Sequence, residues 1–499
     1  MVCADENRLL DQKGKIMKLL LEKYKKLPVE LKSSGWYMVC NVLQNALGFI
    51  TLPVYSRILT TEQYGLFSVY LTWMNLLLIF TNLNLQHGVF NTAMIRYEKD
   101  RDGFIAAMQG LTTVLSLGWL LIYLFASKIW NQLFQLPTLL MVVMAFEMLF
   151  FPAKDYWSGK LRYEYKYRPT VIYTITLAIV NPTVCIIAIL GTDGDRGNIR
   201  VLAAAIINMV FYAVLYVRNF IKGKKFYHKE YWNYALQFGI PLIIYYLSQS
   251  IFNQSDSLMI QHMVGMDKAG IYSLVYSCSV VVVFVINAIN GAFVPWTYQK
   301  VQQKGYNSLA KVSEWIAAAL AVILILVILI CPELLKMVAS KEYYEAIWIM
   351  PPVVGSLFFL FLAQLFINIE FYFEEKRALV KGSVFSAVLN LVLNYFAIKQ
   401  FGYIAAGYTT LISYIVFVAA NYYYMKKMCI EKLQGAVIYN IGNLCVLSAG
   451  FLLSVLLALL AYPYPTLRWG AFFLIVIIGL SFHKRIIQIL KKELSIYSP

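Results

Sequence analysis

Amide side chains recur at helical spacing inside the most apolar parts of this 499-residue sequence. Asn41, Gln44 and Asn45 stand three and four residues apart, so a helix would present them on one face. The complete set of candidate residues is Asn41, Gln44, Asn45, Asn82, Gln86, Gln249, Asn253, Asn287 and Asn290. Each amide can donate and accept hydrogen bonds, so together they could bind a ligand rich in hydroxyl groups, such as a sugar. The alternative is that they join neighbouring helices by hydrogen bonds.

Ionisable residues also stand within apolar segments, where each costs a few kcal/mol unless it faces protein or water. Asp256, Glu147 and Glu370 are candidates to carry a coupling ion, H+ or Na+. The alternative is that these carboxylates pair inside the protein. Lys154 adjoins Asp155 and could form an ion pair with that residue or with Glu147.

The segments that carry these residues are predicted to cross a membrane. Of all residues 60% are hydrophobic and only 14% are charged, whereas about a quarter are charged in a typical soluble protein. Several apolar runs reach the length of about 20 residues that a helix needs to span a bilayer. We therefore predict an all-α polytopic membrane protein. Fourteen transmembrane helices are predicted, near 36–56, 65–90, 104–126, 137–157, 170–190, 201–217, 236–261, 270–296, 312–331, 347–371, 382–397, 404–424, 438–461 and 469–482.

The distribution of Lys and Arg orients these spans. With the N-terminus in the cytoplasm, 33 of the 43 Lys and Arg residues fall in cytoplasmic segments and nine in outer loops, as the positive-inside rule requires. Both termini are therefore predicted to be cytoplasmic. The net charge of +17 is spread over the cytoplasmic segments, which indicates contact with anionic membrane lipids and not with nucleic acid. The basic tail 1–35 either lies along the membrane surface as an amphipathic helix or is solvated.

The residue patterns of an enzyme or a metal site are missing from the sequence. Its seven cysteines show no CxxC spacing and its four histidines are scattered, so neither a zinc site nor a disulfide framework is expected. There is no Ser/His/Asp order and no glycine-rich phosphate loop. These observations favour a transporter over an enzyme, with no cofactor other than a coupling H+ or Na+.

An internal repeat relates two parts of the chain. A shift of 205 residues aligns Gly65 with Gly270, and weak similarity at such a spacing indicates two parallel six-helix repeats. We predict an N-lobe at 36–220, a C-lobe at 221–430, and two further helices with a cytoplasmic C-terminus at 431–499. Because spans one, two, seven and eight would occupy equivalent places, their amides are expected to line a shared central cavity.

The string SRILTTEQYGLFSVY, residues 56–70, is predicted to form a tight outer hairpin. The Thr60-Thr61-Glu62 segment would cap the start of span two, and Gly65 would allow close approach of another helix. Prolines inside three other spans would interrupt their helices and act as hinges; they are Pro182, Pro241, Pro351 and Pro352.

Four strings together resemble a known family. They are YSRILTTEQYGLFSVY, NQSDSLMIQHMVGMDKAGIYSLVYS, NAINGAFVPWTY and LNLVLNYFAIKQFGYIAAGYTTLISY. In this order and spacing they are similar to the polysaccharide-export (Wzx-type, O-antigen) flippases of the multidrug/oligosaccharidyl-lipid/polysaccharide exporter superfamily. The similarity extends over about residues 36–480, and the family also tends to place an aspartate at the position of Asp256.

The resemblance implies a function for the predicted cavity. A flippase of this family would move a polyprenyl-diphosphate-linked oligosaccharide from the inner to the outer leaflet of the bacterial plasma (inner) membrane by alternating access. Lys154 and Arg57 are then candidates to bind the diphosphate, although Arg57 could instead extend its charge to the membrane surface. Polysaccharide polymerase and glycosyltransferases would be its partners in the cell.

Two other classes of function remain open. A multidrug/cation antiporter of the same superfamily should have a more acidic and more apolar cavity. A membrane glycosyltransferase or polymerase would usually need a larger loop to hold a sugar than the longest outer loop, at 332–346.

Overall fold

The computed structural model describes residues 28–86, 89–373 and 376–494. Throughout these ranges the chain folds into α-helices joined by short turns, with two 3₁₀ segments and no strand. The predicted all-α fold class is therefore confirmed. Most of the predicted basic tail 1–35 lies outside the described residues.

The described residues of the predicted N-lobe region form nine helices. The first four predicted spans are formed by α1 to α7, and the fifth and sixth by α8 and α9. A 3₁₀ turn, Glu98–Asp100, separates α3 from α4. The helices are α1 (Val29–Ile58), α2 (Thr61–Thr81), α3 (Val89–Arg96), α4 (Arg101–Phe125), α5 (Ser127–Phe134), α6 (Thr138–Phe150), α7 (Pro152–Tyr163), α8 (Tyr167–Leu190) and α9 (Arg196–Gly223).

Eight helices follow among the described residues, and most of them are longer and less interrupted than the first nine. A 3₁₀ segment, Lys341–Trp348, connects α12 to α13. The helices are α10 (Lys229–Met263), α11 (Met266–Gln302), α12 (Tyr306–Val338), α13 (Met350–Tyr372), α14 (Lys376–Phe401), α15 (Ala405–Lys432), α16 (Ile441–Leu460) and α17 (Pro465–Leu494).

Length and apolarity identify ten membrane-crossing helices among the described residues, or twelve if each of two bent pairs is one span. One bent pair joins Ser127–Phe134 to Thr138–Tyr163 at 93°, and the other divides α11 with a bend of 41°. The helix α15 and the apolar part of α17, Pro465–Gly479, occupy the positions of predicted spans twelve and fourteen. The count of fourteen therefore stays a prediction.

The start of α2 has the predicted cap, with one correction. The Thr60 hydroxyl accepts a hydrogen bond from the Gln63 backbone nitrogen at 3.2 Å. The Gln63 side-chain oxygen in turn accepts one from the Thr60 backbone nitrogen at 3.2 Å. The reciprocal partner is thus Gln63 and not Glu62, because the third helical residue is the one that can reach back to the cap.

The predicted close approach at Gly65 occurs where α2 crosses α11. A Cβ atom on Gly65 would collide with the Met266 carbonyl oxygen, and one on Gly270 would collide with the Thr61 carbonyl oxygen. Only glycine leaves room for two helix backbones at this distance. This crossing joins the regions of the two predicted lobes.

The prolines do not all behave as predicted. Pro182 and Pro241 lie inside α8 and α10, where each removes a backbone hydrogen bond. Pro351 and Pro352 instead lie in the first turn of α13. The expectation that these two break a helix was wrong, because the first-turn amides have no helical partner to lose.

A buried ion pair anchors the C-terminal helices. The Arg468 guanidinium, 3% exposed, donates to both carboxylate oxygens of Glu333 at 2.7 Å and to the Leu329 carbonyl oxygen at 2.8 Å. These contacts fix the start of α17 against the end of α12.

Candidate transport cavities

A cavity of about 530 Å³ lies between α2, α7 and α10, and we call it the amide cavity. Four of the predicted amides line it, two from each predicted lobe. The polar side chains of its lining are Asn75, Asn82, Asn84, Gln86, Asp155, Ser158, Arg162, Tyr163, Tyr246, Gln249, Ser250, Asn253 and Gln254. Spans two and seven therefore do contribute polar stripes to one space.

The amides of this cavity are held by hydrogen bonds within their own segments and with neighbouring helices. Asn82 donates to Gln86 Oε1 at 2.9 Å and accepts from the Tyr156 hydroxyl at 2.9 Å. Gln249 donates to the Ser383 hydroxyl at 2.8 Å. Asn253 donates to the Gln249 carbonyl oxygen at 2.8 Å. Such bonds fix the amide orientations, which is also what a preorganised binding surface requires.

Two charged side chains of α7 reach the amide cavity. Asp155, Ser158, Gly159 and Arg162 follow one another at helical spacing along its wall. The Arg162 side chain is exposed, and its Cζ atom lies 5.4 Å from the centroid of the Tyr37 ring. Sequence reasoning placed Arg162 in a cytoplasmic loop and missed it, although the spacing from Asp155 puts both residues on one helix face.

A second cavity, of about 590 Å³, lies among the helices of the predicted N-lobe, and we call it the arginine cavity. Helices α1, α2, α6, α8 and α9 surround it, and α11 completes one wall. Two predicted amides, Gln44 and Asn45, line this cavity and not the amide cavity. The other polar side chains of its lining are Thr51, Tyr55, Tyr64, Ser68, Tyr70, Glu147, Asn181, Cys185, Arg200, Asn208 and Ser277. The side chain of Asn41 lies outside the described residues.

Glu147 lies in the wall of the arginine cavity and is 1% exposed. Its carboxylate accepts hydrogen bonds from the Tyr70 hydroxyl at 2.9 Å and from Asn208 Nδ2 at 2.8 Å. Asn208 in turn accepts from Asn181 Nδ2 at 2.9 Å. Four helices, α2, α6, α8 and α9, thus share one polar network around this carboxylate.

Arg200 lies in the same cavity and was missed by sequence reasoning. The count of Lys and Arg residues places it in an outer loop, because predicted span six begins at residue 201. Its side chain is nevertheless buried, 5% exposed, against the rings of Tyr55, Tyr64 and Phe67. An arginine between the rings of two other helices is a feature that the sequence alone does not reveal.

Asp256 is buried in the predicted C-lobe, and its carboxylate is fully engaged. It accepts hydrogen bonds from the Tyr272 hydroxyl at 2.5 Å, the Thr410 hydroxyl at 2.5 Å and Asn394 Nδ2 at 2.6 Å. The Ser255 hydroxyl donates to Asn390 at 2.9 Å, and Asn394 also donates to Asn390 at 3.1 Å. The result is a continuous polar network within the helix bundle.

Glu370, near the end of α13, is the third predicted carboxylate, and its surroundings differ. It is fully buried, and neither carboxylate oxygen has a hydrogen-bond partner among the described residues. The helix bundle thus encloses a carboxyl group that no hydrogen-bond donor of the described residues contacts.

Neither of the two predicted diphosphate-binding residues is a lining residue of the two cavities, but Lys154 contacts Asp155 and Phe151, which line the amide cavity. Lys154 lies 3.6 Å from Asp155, with its Nζ atom 4.9 Å from the centroid of the Phe151 ring. Arg57 donates to the carbonyl oxygens of Pro53 at 2.8 Å and Met337 at 3.1 Å.

The predicted residues of span eight also lie outside the lining of the two cavities. Asn287 is exposed on α11, and Asn290 donates to the Gln364 side chain. The expected convergence of spans one, two, seven and eight is thus divided between two cavities.

No metal-binding group emerges from the part of the chain that the structure describes. Three or more His, Cys, Asp or Glu residues placed to hold a metal ion do not occur there.

Residues 31–300, more than half of the chain, match the family described as "Polysaccharide biosynthesis protein". Two proteins of Haemophilus influenzae are related along most of their length. A protein of the Lsg locus is 24% identical over 371 residues, and an uncharacterized membrane protein is 27% identical over 380 residues. Each alignment covers 72% of this chain and 88% of the relative.

Solved structures share the fold at low sequence identity. The lipid II flippase MurJ in an inward closed conformation aligns with a TM-score of 0.69 and 11% identity, over 90% of this chain and 99% of that one. An inward-facing multidrug resistance MATE family transporter of the MOP superfamily aligns with a TM-score of 0.59 and 13% identity, over 78% of this chain and 95% of that one. At these identities the likeness shows the fold alone.

Proposed function

Because the chain belongs to the polysaccharide biosynthesis protein family, we propose that it moves a polyprenyl-diphosphate-linked oligosaccharide from the cytoplasmic to the outer leaflet of the bacterial plasma membrane. The resemblance predicted from the sequence strings is confirmed at the level of the family. The substrate, the direction of movement and the cellular membrane are parts of the proposal.

The amide cavity is the observation that carries this proposal. Its walls offer Asn75, Gln86, Gln249, Asn253 and Gln254 from both predicted lobes. Amides supply donors and acceptors in pairs, which suits the hydroxyl groups of a glycan. A volume of about 530 Å³ falls within the range of about 300–1,000 Å³ that is typical of ligand cavities.

The contacts between the predicted lobes support an alternating-access mechanism. At the predicted outer end, Gly65 packs on Gly270, and the Ser56 hydroxyl donates to the Val338 carbonyl oxygen at 2.9 Å. The amide cavity reaches Arg162, which follows the predicted inner end of span four. With the predicted orientation, the outer end would be closed in this arrangement and the cavity would face the cytoplasm. Rocking of two six-helix lobes about the crossing would reverse it.

The cations would bind the diphosphate at the cytoplasmic entrance. Arg162 has a guanidinium in the amide cavity, and its planar fork suits phosphate oxygens. Lys154 and Arg57 remain candidates for later stages of the movement. The predicted partner enzymes, polymerase and glycosyltransferases, would use and supply the lipid-linked glycan.

The three carboxylates are the candidate coupling groups. Glu370 is the best suited to carry a proton, because no donor among the described residues holds its oxygens. Asp256 and Glu147 each accept hydrogen bonds from fixed partners, so their oxygens are already engaged.

A multidrug/cation antiporter is the main alternative. The lining of the amide cavity contains one carboxylate, Asp155, and one guanidinium, Arg162, among several amides. This lining has no excess of negative charge to attract a cationic drug.

Transport in proteoliposomes tests the proposal. A fluorescent polyprenyl-diphosphate oligosaccharide, inserted in one leaflet, should reach the other leaflet at a rate that depends on the protein. Asn253→Leu should reduce this rate at least tenfold, whereas Asn287→Leu, at an exposed position of α11, should leave it unchanged. Equal rates with and without protein, or transport of cationic dyes in place of the glycan lipid, would refute the proposal.

A further inference from the structure

We propose that Arg200 forms an oxyanion-binding site in the arginine cavity, which takes a carboxylate or phosphate group of the transported molecule. The inference rests on the proposed function for the identity of that molecule, but the binding site itself is argued from geometry.

The Arg200 guanidinium is held by aromatic rings. Its Cζ atom lies 3.9 Å from the centroid of the Tyr55 ring, 4.0 Å from that of Phe67 and 4.8 Å from that of Tyr64. Cation–π attraction of this kind holds a guanidinium against the faces of aromatic rings. These contacts orient the guanidinium, and its Nη1 atom is buried without a hydrogen-bond partner among the described residues.

No carboxylate of the described residues forms an ion pair with this cation. Glu147 lines the same cavity but is engaged by Tyr70 and Asn208. Asn208 is eight residues from Arg200 along α9, a rise of about 12 Å. Burying an unpaired charge is unfavourable. Because the Arg200 guanidinium is already buried in the folded protein, binding of an anion to it carries no further cost for burying that guanidinium.

The surroundings of Arg200 suit a sugar acid or a phosphate. The cavity has a volume of about 590 Å³, and Gln44, Asn181 and Asn208 add amides along its wall. Arginine binds the oxygens of carboxylate and phosphate groups with two parallel N–H donors. The cavity can thus receive a hydroxyl-rich group that bears one negative charge.

Geometry favours an acidic sugar over the diphosphate as the group at Arg200. Asn219 of α9 donates to the Ala153 carbonyl oxygen at 3.2 Å, which fixes the level of α7 beside α9. Arg200 is 19 residues away from Asn219, a rise of about 28 Å. Arg162 lies further along α7 from Ala153, so one diphosphate cannot contact Arg162 and Arg200 at the same time.

Equilibrium binding to the purified full chain in nanodiscs tests this inference. Three soluble probes are titrated calorimetrically: a trisaccharide with one glucuronic acid, its neutral glucose counterpart, and inorganic pyrophosphate. We expect the acidic trisaccharide to bind at least tenfold more tightly than the neutral one, and Arg200→Gln to abolish this difference. If Arg200→Gln removes only pyrophosphate binding, the site stands and its ligand is the diphosphate.

Two further variants keep the test interpretable. Arg196→Gln, one turn earlier on α9 and outside the arginine cavity, should retain the full preference for the anionic probe. Arg200→Lys retains the charge but not the planar fork, so it should reduce the preference several-fold even if Arg200→Gln fails to fold. Wild-type protein without anion preference, or an undiminished preference in both Arg200 variants, would overturn the inference. The titration measures binding and not transport. A failure of transport in proteoliposomes would therefore refute the proposed function without affecting a positive binding result.

Discussion

Gly65 and Gly270 contact each other backbone to backbone, and the contact is symmetric. A Cβ atom on Gly65 would meet the Met266 carbonyl oxygen, and one on Gly270 would meet that of Thr61. The same 205-residue shift relates Gly65 to Gly270 and Thr61 to Met266. The repeated sequence thus contacts its own copy, which supports the proposed pair of parallel lobes.

Gly65→Val should prevent the close crossing of α2 and α11. The new side chain would push the helices apart at the predicted outer end, so we expect transport of the glycan lipid in proteoliposomes to fall at least tenfold. Gly118→Val on α4 is the matched control, because no atom lies within 4 Å of a Cβ placed there. Normal transport by Gly65→Val would show that the crossing need not close.

Asp256→Ala should destabilise the folded protein. It would leave the donors of Tyr272, Thr410 and Asn394 without an acceptor, at about 1–3 kcal/mol for each buried group. Thermal unfolding in detergent should show a clear decrease in midpoint, with a smaller one for Asp256→Asn. Asp193→Ala, at an exposed loop position, is the control. An unchanged midpoint for Asp256→Ala would contradict this account of the network.

Glu370→Gln should uncouple transport from a proton gradient. A buried carboxylate without donors can take up and release a proton, whereas an amide of the same shape cannot. We expect an imposed pH gradient to accelerate transport by wild-type protein and not by Glu370→Gln. Glu314→Gln, where the native carboxylate accepts from Asn443 at 3.1 Å, should behave as wild type. Acceleration of the Glu370 variant would exclude this residue as the proton carrier.

The ion pair that Glu345 forms at the predicted outer surface should make the stability of the folded protein depend on pH. Burial raises the pKa of its carboxyl, but Lys268, with Nζ 2.5 Å from Oε1, together with the nearby Tyr403 hydroxyl, more than compensates, and the pKa falls below its usual value of 4.5. Because the folded pKa is the lower one, the ion pair stabilises the fold above about pH 4.5 and this contribution is lost as pH falls through the folded pKa.

Glu345→Gln should therefore lower the unfolding midpoint at pH 7 by no more than about 2 °C, since the pair is partly exposed. At about pH 3 the variant and wild type should converge. Glu342→Gln, on the same 3₁₀ segment, is the control for a general effect of lost charge. A difference that persists at low pH would contradict the ion-pair explanation.

Local signals in the sequence predicted much of the fold. Helical class, the cap at Thr60 and the close approach at Gly65 follow from apolar length, side-chain type and the missing Cβ. The Asp256 network is different: its partners Tyr272 and Thr410 are 16 and 154 residues away. Where each helix begins and ends relative to Arg162 and Arg200 depends on how the helices pack. A count of Lys and Arg residues contains no such information, and it assigned both residues to loops.

The clamp of Arg468 on Glu333 has a consequence for shortened versions of this chain. Deletion of everything after the fifteenth helix would leave the Glu333 carboxylate, whose side chain is 35% exposed, without its counter-charge. The last two helices, α16 and α17, are thus a structural part of the protein. Fusion tags or truncations introduced near residue 440 would destabilise the helix bundle.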